Sequence, residues 1–248
     1  MNILKGLLTV NPYSRPGSRI GKITKIAVHY VGNPGSSAQA NRNYFESLKT
    51  SHARSASAHY IIGLQGEIVQ CIPETEISYA TNQANPYSIS IECCHPAPDG
   101  KFSAATEQSL AELCADLCRR YGLDPLRDIL RHYDVTGKCC PKYYVDHPNT
   151  FTALKQRVKG LLMSIQSDTS GTVQIKRGAY YTAKFSGNGA DKITVSANTG
   201  GVVTIVPISR GADKLAAIVA IGKPGDTAQV YTCLPEAQPV KQFTAKII

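Results

Sequence analysis

Residues Ile26 to Val31 read IAVHYV, a nearly continuous apolar run interrupted by one histidine. Such a run fits a strand buried on both faces, so other layers must cover it on either side. Asn33-Pro34-Gly35 ends it, and Ser37 to Leu48 then reads as a helix. Ala58 to Gly63 and Glu67 to Ile72 read as two strands around Gln65-Gly66, a hairpin signal. Ser88 to Glu92 (SISIE) alternates, with Ile89 and Ile91 on one face and Ser88, Ser90 and Glu92 on the other. Ser103 is a good N-cap, and Leu110, Leu113, Cys114, Leu117 and Tyr121 follow at helical spacing, with Gly122 as a stop. Ile129 to His132 reads as a short strand and Phe151 to Ile165 as a second amphipathic helix. Strands alternating with helices predict an α/β fold, a mixed central β-sheet flanked by helices.

The texture changes within SIQSDTSG, Ser164 to Gly171, a polar stretch that predicts a linker over 166–171. Beyond it, short runs rich in β-branched residues alternate with Gly, Pro, Asn and Asp: 172–176, 193–197, 202–206 and 229–233. They predict a small all-β domain over 172–248. Leu215 to Ile221 is ambiguous between strand and helix.

Charge narrows the partners. The formal net charge of +9 divides into +5 over residues 1–166 and +4 over 167–248, without a run of Lys or Arg. A diffuse positive field favours approach to a polyanion, but an arginine-rich nucleic-acid arm is absent. The apolar stretch within Met1 to Val10 is broken by Lys5 and followed by Asn11-Pro12, so it does not read as a signal peptide. No run reaches the roughly 18–20 apolar residues of a membrane span. The eight cysteines form no CxxC pair and no disulfide ladder, and Cys114 and Cys118 read as small core residues on one helix face.

Several residues could carry chemistry. His29 inside an apolar strand is either a hydrogen-bonded core residue or a ligand. His132 stands at a predicted strand end, and Cys140 follows eight residues later beyond a Gly-containing loop. Two histidines and a thiolate would make a three-ligand metal set with an open fourth position. Glu92 is a solvated strand-end carboxylate or, facing a cleft, a general base. Lys138 is a surface lysine or an oxyanion stabiliser.

The segments IAVHYVG (Ile26–Gly32), SAHYIIGLQGEIVQCIPE (Ser57–Glu74), SISIE (Ser88–Glu92) and RHYDVTGKCCP (Arg131–Pro141) resemble the zinc-dependent N-acetylmuramoyl-L-alanine amidase family. That family includes T7-type lysozyme, AmpD-type amidases and animal peptidoglycan-recognition proteins. NPYSRPG with HYVGNPG resembles its subgroup of phage and prophage endolysins of Gram-positive hosts. The resemblance implies zinc as cofactor, with His29, His132 and Cys140 as ligands, Cys140 being favoured over the adjacent Cys139. It implies Glu92 as catalytic base and Lys138 as the transition-state lysine. His59 is assigned to substrate contact, with structural support as the other reading, and Asp134 to a structural hydrogen bond.

Two departures refine this. Ala58 stands where T7-type members carry a catalytic tyrosine, which leaves the base role to Glu92. Ser78 to Asn82 lacks a histidine that many relatives carry. The expectation is then a peptidoglycan hydrolase that cuts between N-acetylmuramic acid and L-alanine. It would be made in the host bacterial cytoplasm and act on the cell wall after release. A non-catalytic peptidoglycan receptor is the alternative. Residues 1–165 would be the catalytic domain, and 172–248 a module for cell-wall binding, through anionic wall polymers, or for dimerisation into a homo-oligomer.

Overall fold

The computed structural model describes residues 2–162, 165–187, 189–210, 213–235 and 239–248. The chain divides after Leu162 into two compact units, each with its own core.

The N-terminal unit runs β1 (Ile3–Lys5), β2 (Lys25–Tyr30), α1 (Ala38–Ser51), β3 (Tyr60–Ile62), β4 (Ile68–Gln70), β5 (Ser88–Cys93), α2 (Ala104–Tyr121), α3 (Pro125–Asp128), β6 (Ile129–Arg131), α4 (His132–Thr136), α5 (Lys142–Asp146) and α6 (Pro148–Leu162). Its six strands form one sheet in the order β1-β4-β3-β5-β2-β6. β3 and β4 pair antiparallel and the other neighbours pair parallel, so the sheet is mixed. The continuous apolar run is β2, paired on both sides by β5 and β6. Its period of two sends Ile26 and Val28 into the core shared with α2 and α6, alongside Ile89, Ile91, Leu110, Leu113 and Val158. The opposite face packs under α1, where Phe45 and Leu48 meet Ile61, Val69 and Ile72.

Caps set the helix ends. Ser37 Oγ accepts from Ala40 N, and Ser103 Oγ accepts from Thr106 N. Gly122 closes α2 at φ 65°, a left-handed conformation that costs glycine little. Cys114 and Cys118 are buried against the sheet as small apolar residues.

The structure differs from the sequence reading in several places. The apolar N-terminal stretch supplies β1, which adds in parallel to β4. β6 stops at Arg131, and His132 opens α4 instead of ending a strand. α6 begins at Pro148, three residues before Phe151, and ends at Leu162. Ile165 joins the second core. The stretch read as a linker over 166–171 is partly sheet: Gln166–Ser167 is β7 and pairs with Ser186 and Phe185. Met163 and Ser164, which the helix read to Ile165 would include and the second of which opens the polar stretch, lie outside the described residues.

The C-terminal unit continues with β8 (Thr172–Ile175), β9 (Tyr180–Ser186), β10 (Thr194–Ala197), β11 (Val203–Arg210), β12 (Asp213–Ala220), β13 (Thr227–Cys233) and β14 (Val240–Ile247). Two four-stranded sheets, β10-β13-β14-β8 and β11-β12-β9-β7, enclose Phe185, Ile218, Val230 and Phe243. The ambiguous stretch at 215–221 lies mainly in β12, antiparallel to both β11 and β9.

Glu74 joins the end of the β3–β4 hairpin to α2. Its carboxylate accepts from Tyr60 Oη (2.5 Å), Tyr121 Oη (2.5 Å) and the Arg120 guanidinium (2.5 and 2.8 Å). Burial pushes this carboxyl up, but the bonds from Arg120, Tyr121 and Tyr60 outweigh it and hold the group at about 2. A depressed folded-state value contributes stability above the unfolded glutamate value of about 4.3, lost as pH falls toward 2. Glu74→Gln is therefore expected to cost about 1–3 kcal/mol at pH 7. Urea unfolding at stepped pH should show that deficit shrinking between about pH 5 and pH 2.

Candidate active site

The face of β2 and β5 that lies under α1 carries polar groups. His29 and Glu92 are directly paired in the parallel register of these strands. Both are at the carboxyl ends of their strands, the edge where open α/β sheets place their sites. β6 delivers His132 to the same edge as the first residue of α4. Gly137 ends α4 at φ 76°, and the chain turns back so that Cys140 O accepts from Tyr133 N. Cys140 points inward and is buried, whereas Cys139 is exposed.

The donor atoms of His29, His132 and Cys140 all lie within 4.8 Å of one another. Cys140 Sγ is 3.8 Å from His29 Nδ1, and the two imidazoles meet edge to face with centroids 4.7 Å apart. The other nitrogen of His29, Nε2, lies 2.9 Å from Thr81 Oγ1. Such an outer hydrogen bond fixes a ligand's ring and tautomer, leaving Nδ1 for the metal. Both nitrogens of His132 are buried without a hydrogen-bond partner, as is Oε2 of Glu92. Buried polar atoms are seldom left this way, so an unpaired cluster of them marks a binding site.

The electrostatics agree. Burial, with the charges of His132 and Lys138, holds the His29 imidazole well below its ordinary range. Burial and Lys138 lower His132 in the same sense. Both rings are thus neutral, the form that ligates a metal. Burial first, then the Glu92 carboxylate, pushes the Cys140 thiol up to about 12. A cation at this point would reverse that last effect by drawing off the thiol proton. Two neutral imidazoles, a buried thiol and unpaired lone pairs therefore fit a divalent metal with an N,N,S set. Burial also pushes the Glu92 carboxyl up to about 8, against an opposing pull from Lys138.

These groups open into a cavity of about 440 Å³. His29, Glu92, His132, Lys138 and Cys140 line it together with Tyr30, Asn33, Tyr44, Arg54, Tyr79 and Asn82. Lys138 is exposed at its edge.

His59 is the residue whose expected role changes. It is fully buried and does not line the cavity. Its Nε2–H donates to Glu76 O (2.9 Å), while Nδ1 accepts from Ser90 N (3.0 Å) and Ser78 Oγ (3.1 Å). With both nitrogens committed to the protein it braces β5 and cannot reach a ligand in the cavity, so substrate contact is replaced by structural support. Ala58 is buried in the core beneath α1. Asp134 accepts from Arg131 N and pairs with its guanidinium. Sequence reasoning missed Thr81, the partner of His29. It lies 52 residues from that histidine in an irregular loop, with no local pattern to point to it.

The chain is similar to known proteins in sequence and in fold. A family model described as N-acetylmuramoyl-L-alanine amidase matches residues 19–143. The N-acetylmuramoyl-L-alanine amidase CwlL of Bacillus licheniformis is 37% identical over 189 residues, covering 70% of this chain and 52% of that protein. The amidase BlyA of Bacillus subtilis strain 168 is 34% identical over 172 residues, 61% of this chain and 45% of its own length. The chain thus spans about half the length of the curated relatives it matches. Among solved structures, a mutant endolysin from Bacillus subtilis is similar with a TM-score of 0.54 and 28% identity, over 62% of this chain and 99% of that one. The catalytic domain of XlyA is similar at a TM-score of 0.54 and 27% identity, with 62% and 99% covered.

Proposed function

The chain belongs to the N-acetylmuramoyl-L-alanine amidase family, and from that premise we propose that it is a zinc-dependent peptidoglycan hydrolase of the endolysin type. It cuts the amide between the lactyl group of N-acetylmuramic acid and the L-alanine of the stem peptide. The observation that carries this reading is one cavity holding the His29, His132 and Cys140 donors within 4.8 Å beside the buried carboxyl of Glu92. No described helix is long and apolar enough to cross a membrane, and the site of action is the cell wall.

His29, His132 and Cys140 would hold the zinc, with Thr81 orienting His29. When bound there, zinc supplies Lewis-acid chemistry, lowering the pKa of water and polarising a carbonyl. Glu92, kept ionised by Lys138 and a bound cation against the burial that raises it, would take the proton from the attacking water. It then returns that proton to the nitrogen of L-alanine as the C–N bond breaks. Lys138, at the cavity edge, brings its ammonium to the carbonyl oxygen as negative charge develops there. The burial that raises Glu92 also excludes water, which strengthens each of these charge interactions.

The C-terminal unit is suited to hold anionic wall polymers, with nine Lys and Arg against five Asp and Glu over residues 167–248. A chain ending after Leu162 is expected to sediment less with purified walls than the full chain; equal sedimentation would reject this role.

Glu92→Gln is expected to lower kcat about 10²–10⁴-fold while zinc binding and folding persist. Mass spectrometry of digested walls should find stem peptides with new L-alanine amino termini from the parent protein and almost none from the variant. Wild-type rates in the variant, or cleavage at another bond, would overturn the reading.

A further inference from the structure

In the sheet β10-β13-β14-β8, burial alternates along the strands, so one set of side chains faces the C-terminal core and the other faces solvent. Paired outward residues form three rows across the sheet. Tyr231 stands between Ser196 and Lys241, and Thr244 stands between Gln229 and Thr172. Lys246 stands between Thr227 and Gln174. No carboxylate stands in the outward rows of these four strands. The ammonium groups of Lys241 and Lys246 have no hydrogen-bond or ion-pair partner among the described residues.

Lys241 reaches this face through a β-bulge. Strict alternation from the buried Phe243 would send Lys241 toward the core as well. The register shifts between Val230 and Tyr231, so Tyr231 pairs with Lys241 and not with Gln242. The extra residue, Gln242, turns inward: its amide donates to Ile165 O and Thr232 Oγ1, and its Oε1 accepts from Ser167 N. A bulge breaks the ladder locally and serves to re-aim a side chain. Here it sets a cation in the outward row beside Tyr231, whose Oη donates to Gln229 Oε1 in the next row.

The two lysines bracket a row of uncharged amide and hydroxyl groups, Gln229, Thr244 and Thr172. At about 3.3 Å per residue, they stand roughly 15 Å apart along β14. A chain that carries anions at intervals, with hydroxyls between them, meets both lysines and the row they enclose. Lysine suits phosphate, because its compact point charge accepts approach from any side. Nucleic acid fits less well, since Tyr231 alone offers no platform of successive aromatics for stacked bases.

Resting on the reading that the C-terminal unit holds anionic wall polymers, we propose that this sheet face is where it does so, and that its partner is a wall polymer of phosphodiester-linked polyols. Lys241 and Lys246 pair with phosphates, while Gln229, Thr244 and Thr172 hydrogen-bond the hydroxyls between them.

The test uses the full chain as Glu92→Gln, the form expected to leave walls whole, and measures its sedimentation with purified Bacillus subtilis walls. The same walls stripped of phosphodiester polymers by hydrofluoric acid are the comparison, and soluble poly(glycerol phosphate) is the competitor. The chain should bind intact walls, lose most binding on stripped walls, and be displaced by the soluble polymer. Adding K241Q/K246Q should weaken binding about 10- to 100-fold and flatten its salt dependence. The charge-matched pair K192Q/K214Q, on lysines of the same unit outside this face, should leave binding close to the parent value. Equal loss in the two double variants, or equal binding to intact and stripped walls, would overturn the proposal while the wall-holding reading stands. A full chain that sediments with intact walls no better than one ending after Leu162 would instead overturn that reading, and this proposal with it.

Discussion

The parallel register between β2 and β5 is the constraint on which the site depends. It sets His29 opposite Glu92 on the face beneath α1, while their apolar neighbours fill the core on the other face. A slip of one residue would send His29 into the apolar layer and bring Val28 into the site. Ile26, Val28, Ile89 and Ile91, all buried, make that slip expensive. The apolar face thus fixes the position of the polar one, and His29 and Glu92 become neighbours through backbone pairing.

A second layer of polar groups keeps this arrangement rigid. Ser90, between the two isoleucines of β5, meets His59, Ser78 and Thr81. Thr81 in turn touches His29. His59 therefore helps to hold the ligand layer without entering it. His59, with both nitrogens bonded within the protein, lies outside the cavity. Groups left unpaired, on His132 and Glu92, line the cavity.

Much of this was legible in the sequence because it is written in local pattern. The run around His29 and the alternation of SISIE follow from strand period, and the caps Ser103 and Gly122 follow from helix-end chemistry. Resemblance added the choice of Cys140 over Cys139, which spacing alone left open. What stayed hidden depends on tertiary closure or on weak signals. β1 has three residues, too few to display a period. β9 and β14 alternate, but Ala183 and Ala245 stand at inward positions and mute the contrast with their polar neighbours. The polar residues 166–167 join a sheet because β9 offers them an edge. The role of His59 rested on proximity, and only its two committed nitrogens reveal it as a brace.

The central claim is that the His29–His132–Cys140 group carries the metal for amide hydrolysis. Its most direct test is to strip the protein with a chelator and restore zinc in steps. At each step, new L-alanine amino termini released from purified peptidoglycan are counted. The account predicts that release rises with added metal and levels off at about one equivalent per chain, as expected for a single three-ligand site, and that Cys140→Ser shows no such rise. Undiminished release by the metal-free protein, or a normal titration in Cys140→Ser, would contradict it.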